Sequence, residues 1–306
     1  MCLGKSIKAQ DTTGKVVQTT LFQDKLTSSF PHIKVNGVAT TSLSVTTPST
    51  GSYTTLTDVK GNFYYIPSPS KSILKVHVQL QTSKRDDGTG PTTGKYGTAW
   101  LEHGTSPSNG RYEYAVLIPT ETYDLTSTNL TAAQETTNSK VYKVLQKNRK
   151  AHVVQFLKSP KSGSALSHAI TGYVLFAVNM RLPSDGPVVA VNKGGCLVMA
   201  EETTEFIFLS ISIPSLNLQT VKQPMTNSGD VGQEELYRSS SADREVKVTL
   251  RKKVQKSIVS VQVHGKPDCY QPNVWVLTGL NQVLFLNLKN GFSVEVKLKK
   301  RPQQLQ

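Results

Sequence analysis

His103 and Tyr112 are the side chains in this sequence whose types and spacing best suit proton chemistry. They lie in Tyr96–Ile118, YGTAWLEHGTSPSNGRYEYAVLI, together with Trp100, Arg111 and Tyr114. An imidazole can accept a proton, a phenol can supply one, and a guanidinium can hold an anion beside them. The segment reads as a strand, a turn-rich loop and a second strand, an order that would gather these groups around one hairpin. The same residues also suit a plainer role, because aromatic side chains on adjacent strands pack across a sheet. Read alone, the segment favours packing.

Other constellations fail sooner. Gly194-Gly195-Cys196 is not set in a strand–helix phosphate cradle, and there is no Walker, dinucleotide or nucleophile-elbow pattern. Asp86-Asp87 and Glu201-Glu202 are adjacent in sequence, and strand neighbours face opposite ways, so neither makes a carboxylate pair. The six histidines are dispersed. Cys2, Cys196 and Cys269 are too few and too scattered for a zinc site or a disulfide framework, and three buried or free thiols are favoured over one bridge. No metal, no cofactor and no catalytic residue is expected.

The elements that must position these groups are strands. Short apolar–polar alternations recur between Gly, Pro, Asn and Asp clusters, which predicts an antiparallel all-β protein. Expected strands include Val16–Phe22, Gly61–Ile66, Ile73–Gln81, His152–Leu157, Gly172–Val178 and Phe206–Ile213. In KVHVQL, Val76, Val78 and Leu80 share one face, and Lys75, His77 and Gln79 share the other. Ser83–Thr93 reads as a long polar loop, and Ser127–Thr137 as one short helix. Linker composition in Gln219–Ala242 suggests a large antiparallel β-sandwich over residues 1–219, followed by a small basic β-sandwich over 220–306. In that second part the regular strand is expected to end or bulge near Leu250, and the last strand to bury Phe292, Val294, Val296 and Leu298.

Charge points to the partner. Lysine and arginine number 35 against 21 acids, a net charge of +14 with a sequence pI of about 9.6. The excess is denser toward the C-terminus. Such a balance favours a polyanion. Three places can hold one: the first segment with its approach loop (Lys84, Arg85, Lys95, Tyr96, Trp100, His103, Arg111), the run Lys143, Lys147, Arg149, Lys150, and the cluster Arg251, Lys252, Lys253. Lysine and arginine spaced along a strand fix carboxylates and sulfates, while an aromatic face stacks on a sugar ring. The plainer role of each is a solvated strand protected from edge pairing. No apolar run reaches membrane-spanning length, and no leader pattern opens the chain.

Trp100-x-x-His103-Gly104, a short loop and Tyr112-Glu-Tyr114 before an aliphatic run resemble the β-sheet region of polysaccharide lyase family 8, the chondroitin sulfate ABC lyases in particular. Leu3-Gly-Lys-Ser-Ile7, Thr19-Thr-Leu-Phe-Gln23, Val141-Tyr-Lys-Val-Leu145 and Ala151-His-Val-Val154 resemble motifs of the same lyases in the same order. Together the matches run to about Leu218. The resemblance implies two successive β-sandwiches. It also implies that the residues of eliminative cleavage belong to an α-helical toroid upstream, with no counterpart here. His103 and Tyr112 match positions outside the family's catalytic set. The resemblance and the charge together lead us to expect a secreted or extracellular, non-catalytic protein that binds glycosaminoglycan, chondroitin or dermatan sulfate. The alternative is a C-terminal part of an intact lyase that scaffolds its active site. A nucleic-acid partner is less favoured, since no recognition module is visible.

Overall fold

The structure, a computed structural model, describes residues 1–10, 13–40, 43–46, 53–67, 72–85, 88–117, 142–158, 165–178, 180–214, 218–224, 233–239, 244–264, 272–288 and 291–302. These fall into two compact units, one up to Leu117 and the other from Tyr142 onward. Both are built from antiparallel sheets, and no α-helix occurs among the described residues. The helix expected at Ser127–Thr137 lies outside them.

The first unit pairs two sheets. One runs in the order β1 (Cys2–Ile7), β10 (Gly110–Leu117), β7 (Phe63–Pro67), β6 (Tyr53–Thr57), β3 (Ile33–Val35) and β4 (Val38–Thr40). The other runs β2 (Gln18–Lys25), β9 (Pro91–Glu102), β8 (Ile73–Lys84) and β5 (Leu43–Thr46). Alternation decides what each buries. Leu74, Val76, Val78, Ala99 and Leu101 of the four-stranded sheet share a core with Ile33, Leu56, Tyr64 and Ile66 of the six-stranded one. The Phe22 and Tyr64 rings meet across it, 5.2 Å between centroids. Asn36 and Gly37, with φ of 49° and 79°, make the tight turn from β3 to β4 that this dipeptide favours in hairpins.

The second unit has a seven-stranded sheet, in the order β11 (Tyr142–Lys147), β12 (Ala151–Lys158), β13 (Ala165–Leu175), β15 (Cys196–Glu202), β16 (Phe206–Ser212), β23 (Ser293–Lys300) and β20 (Val254–His264). A four-stranded sheet runs β14 (Val188–Val191), β19 (Arg244–Leu250), β22 (Gln282–Leu288) and β21 (Asn273–Leu277). Tyr173, Val198, Ile207, Leu209, Val294, Val296 and Leu298 from the first share a core with Val246, Val248, Val283 and Phe285 from the second. As the alternation predicts, β19 ends at Leu250 and the last strand buries Val294, Val296 and Leu298.

Three details differ from the sequence reading. Tyr96–Ile118 is no hairpin: β9 pairs with β2 and β8, whereas β10 pairs with β1 and β7. Each strand has an apolar face, and the two faces are buried only when the strands stand in opposing sheets. Both ends of Ser83–Thr93 are strand, because β8 and β9 pair out to Lys84 and Pro91. The Gln219–Ala242 segment holds β17 (Leu218–Pro224) and β18 (Gln233–Ser239), paired with each other. The seven-stranded sheet takes strands from both sides of it, with β16 hydrogen-bonded to β23. Polar, Gly- and Ser-rich composition marks a hairpin turn as readily as a linker.

Asp58 organises the β6–β7 turn. Its Oδ1 accepts hydrogen bonds from the backbone N–H of Lys60 and of Asn62, both 2.9 Å, and its Oδ2 accepts from Asn62 Nδ2 at 2.7 Å and Tyr64 Oη at 3.1 Å. Asp58 is buried, so removing the carboxylate leaves these donors unpaired. Asp58→Ala is expected to lower the unfolding free energy by about 3 kcal/mol in urea denaturation, and Asp58→Asn, which keeps one acceptor oxygen, by less.

Candidate functional site

His103 stands where the chain leaves β9 and crosses to the opposing sheet. Gly104, at φ 88°, turns the backbone there, and its carbonyl accepts from the Val17 N–H. The ring makes two hydrogen bonds of 2.8 Å, Nε2 with Thr19 Oγ1 and Nδ1 with Ser72 Oγ. Ser72 Oγ donates in turn to the Arg111 carbonyl, also at 2.8 Å. Since the single Ser72 proton is directed to that carbonyl, we assign the ring proton to Nδ1 and let Nε2 accept from Thr19. Burial holds the imidazole below its usual value of 6.5, in keeping with a neutral ring. Tyr112 lies beside it, 6.1 Å between ring centroids, and its ring fills the space where a side chain on Gly4 would stand. Both nitrogens of His103 are hydrogen-bonded to hydroxyls, and through Ser72 the ring is tied to the Arg111 carbonyl of the opposing sheet.

The other residues of that group disperse. Tyr96 and Trp100 face outward from the four-stranded sheet. Lys95, opposite Leu80, and Lys84, opposite Pro91, occupy the other face of the β8–β9 arm, where the sheet runs past its core and Leu80 is 72% exposed. Arg85 sits at the arm's tip. Arg111 is exposed on β10 opposite Lys5.

The second group is divided by a bulge between Val144 and Gln146. Lys143 pairs with Gln155 on the core side, while Lys147 pairs with His152 on the outer side. Lys143 Nζ is 2.6 Å from Asp185 Oδ2, and its hydrogen bond holds that exposed carboxyl below the usual range. Arg149 and Lys150 are exposed in the following turn.

In the third group Arg251 is a backbone clamp. Its Nε donates to the Gly186 carbonyl and its Nη2 to the Pro183 carbonyl, both at 3.2 Å. Lys252 and Lys253 are exposed beside it. Further along, Lys297 Nζ lies 4.1 Å from the Phe206 ring centroid.

Elsewhere, Glu202 pairs with Lys300 at 3.0 Å. Cys2 and Cys196 are free thiols, and burial pushes that of Cys196 up to about 11. Asp86-Asp87 and Cys269 lie outside the described residues. Among those residues no three His, Cys, Asp or Glu side chains cluster to hold a metal.

What the structure does bring together is one face. On the outer side of the four-stranded sheet, β9 presents Tyr96, Thr98 and Trp100, β8 presents Lys75, His77 and Gln79, and β2 presents Gln23 and Lys25. The Trp100 ring meets His77 edge-on, 4.6 Å between centroids at 76°, and its Nε1–H is buried without a hydrogen-bond partner. Gln23 Nε2 donates to Gln81 Oε1 at 3.0 Å. This array of rings, amides and ammonium groups can stack on sugars and hold their anions. The KVHVQL alternation pointed to Lys75, His77 and Gln79. Lys25 and Gln23 were missed, because only the β2–β9 register sets them beside Tyr96 and Thr98.

The architecture is that of paired antiparallel sheets closing on apolar cores, and comparison with known proteins specifies it. Residues 1–130 match the super-sandwich domain of polysaccharide lyase family 8. The chain is 28% identical over 248 residues to the chondroitin sulfate ABC endolyase of Proteus vulgaris, covering 80% of this chain and 22% of that enzyme. With the chondroitin sulfate ABC exolyase of Bacteroides thetaiotaomicron it shares 27% identity over 308 residues, 98% of this chain and 26% of that one. The chondroitin AC lyase of Streptomyces coelicolor A3 in complex with chondroitin sulphate has the same fold, at a TM-score of 0.55 and 14% identity, over 98% of this chain and 31% of that one. This chain therefore carries the family 8 super-sandwich domain and is homologous to chondroitin sulfate lyases over most of its length. It spans about a quarter of the curated relatives it matches. The match covers their β-sandwich region, and the catalytic toroid lies outside it.

The depressed imidazole makes a pH prediction. The unfolded chain's His103 takes up a proton before the buried one does, so this contribution to stability is complete above pH 6.5 and is lost as pH falls through the lower folded value. Thermal unfolding followed from about pH 7 down to about pH 5 should show a falling midpoint. His103→Gln should fall less steeply over that range.

Proposed function

We propose that this chain binds glycosaminoglycan, chondroitin or dermatan sulfate, without cleaving it. The observation that carries the reading is the outward face of the four-stranded sheet, where rings, amides and lysines lie side by side on three strands. A sulfated polysaccharide presents anions at regular intervals along a ring backbone, and such a face offers both stacking and charge-assisted hydrogen bonds. The net charge of +14 raises the encounter rate with any polyanion and favours sulfated chains over hyaluronan. The P. vulgaris and B. thetaiotaomicron relatives are named for action on chondroitin sulfate, which directs the choice of polymer. An extracellular setting, where such polymers occur, fits the reading. His103, with both ring nitrogens hydrogen-bonded, supports a binding role over a catalytic one.

A second reading has its own support. The match covers about a quarter of each curated relative, which suits a scaffold for a lyase active site supplied by a separate catalytic unit. The two readings separate on the isolated chain. Binding to immobilised chondroitin sulfate, dermatan sulfate, heparan sulfate and hyaluronan at physiological salt is measured while unsaturated uronate is followed by ultraviolet absorbance. The binding reading expects selective retention of the first two, weakened by added salt, with no product. A chain retained by none of the four supports the scaffold, and product formation overturns both readings.

A further inference from the structure

Within the outward face, one row of side chains is arranged around a missing one. Tyr96 on β9 has Lys25 directly opposite it on β2 and Gln79 directly opposite it on β8. Lys25 and Gln79 are exposed, and Tyr96 is half-buried. Two residues earlier on the same face is Gly94. A Cβ there would stand 2.9 Å from Tyr96 Cε2, 3.5 Å from Tyr96 Cζ and 3.4 Å from Lys25 Cε. Side chains on a strand ordinarily stand off the sheet. The Tyr96 ring instead lies back over Gly94, with the Lys25 stem alongside. The half-buried ring has a cation on one side and an amide on the other. The Gln23–Gln81 hydrogen bond joins residues opposite Thr98 and Gly94 and so crosses β9 at this row.

Resting on the glycosaminoglycan reading above, we infer that Lys25, Tyr96 and Gln79, with Gly94 as the space-maker, form a subsite for one anionic sugar unit of the polymer. Tyr96 stacks on the pyranose ring, Lys25 pairs with its carboxylate or sulfate, and Gln79 hydrogen-bonds a hydroxyl or acetamido group on the opposite edge. Along the described strands the carboxylate on this face is Glu102, six residues from Tyr96 or about 20 Å along the strand. The subsite is therefore free of nearby like charge to the ligand. Lys95 and Lys84 belong to the opposite face of the same arm and take no part. Covering a strand glycine with a ring also stabilises the strand, so stability and binding must be read separately.

The test measures chondroitin sulfate affinity of the whole chain and of five variants, with thermal melting as the fold control. Lys25→Ala and Tyr96→Ala should each weaken binding about tenfold. Gly94→Ala, which displaces the ring, should weaken it as well. Tyr96→Phe, which keeps the ring, should bind within about threefold of the parent, and Lys95→Ala likewise. Unsulfated chondroitin separates the two anion sources: a Lys25→Ala deficit that persists assigns the lysine to the uronate, and one that vanishes assigns it to the sulfate. Binding that survives Lys25→Ala and Tyr96→Ala but drops with Lys95→Ala overturns the subsite and leaves the glycosaminoglycan reading standing. A parent chain that binds no glycosaminoglycan overturns that reading, and the subsite with it.

Discussion

The first unit depends on one constraint: β9 and β10, close in sequence, must stand in different sheets. Each has an apolar face, and a sandwich buries both only by placing them across the core from each other. The chain makes the crossing at Gly104, and the hydrogen bonds of His103 to Thr19 and Ser72, extended from Ser72 to the Arg111 carbonyl, hold it there. An imidazole is well suited to this task. It offers one donor and one acceptor in a rigid ring, so a single side chain reaches hydroxyls on two sides. Charging that ring would turn its acceptor into a donor facing Thr19, and desolvation already disfavours the charge.

That crossing also separates the surfaces. Trp100 and Tyr96 go outward on the four-stranded sheet, while Tyr112 and Tyr114 pack against the core of the first unit. The residues that looked like one constellation therefore do different work. His103 lies where the chain crosses between the sheets, whereas Tyr96 and Trp100 stand on the face turned away from the core. The same division recurs among the basic residues. Arg251 binds backbone carbonyls and Lys143 an aspartate, whereas Lys25 extends from an outward-facing row. High net charge thus does not by itself identify a site.

Family 8 lyases supply the frame for this division. The homologous region in the ABC lyases forms part of much longer enzymes, of which this chain spans about a quarter. A sheet whose outward face carries rings and amides can hold a polysaccharide whether or not a catalytic unit stands beside it. In that sense the binding and scaffold readings draw on the same physics. They differ in what else the protein is joined to.

The alternation of apolar and polar residues was enough to read the buried faces of several strands. KVHVQL, the end of β19 at Leu250 and the Val294–Val296–Leu298 stripe all fold as their two-residue period requires, because side-chain direction on a strand is a local property. Motif order likewise pointed to the family 8 super-sandwich domain that residues 1–130 match. Which strands become neighbours is not local. Register across β2, β9 and β8 put Lys25 and Gln79 beside Tyr96, and it sent Lys95 to the far side of the arm although it adjoins Tyr96 in sequence. A bulge between Val144 and Gln146 likewise parted Lys143 from Lys147. Composition and periodicity determined the fold class. Only the pairing of distant strands decided which side chains share a surface, because a one-residue change in register or a single bulge moves a residue to the opposite face.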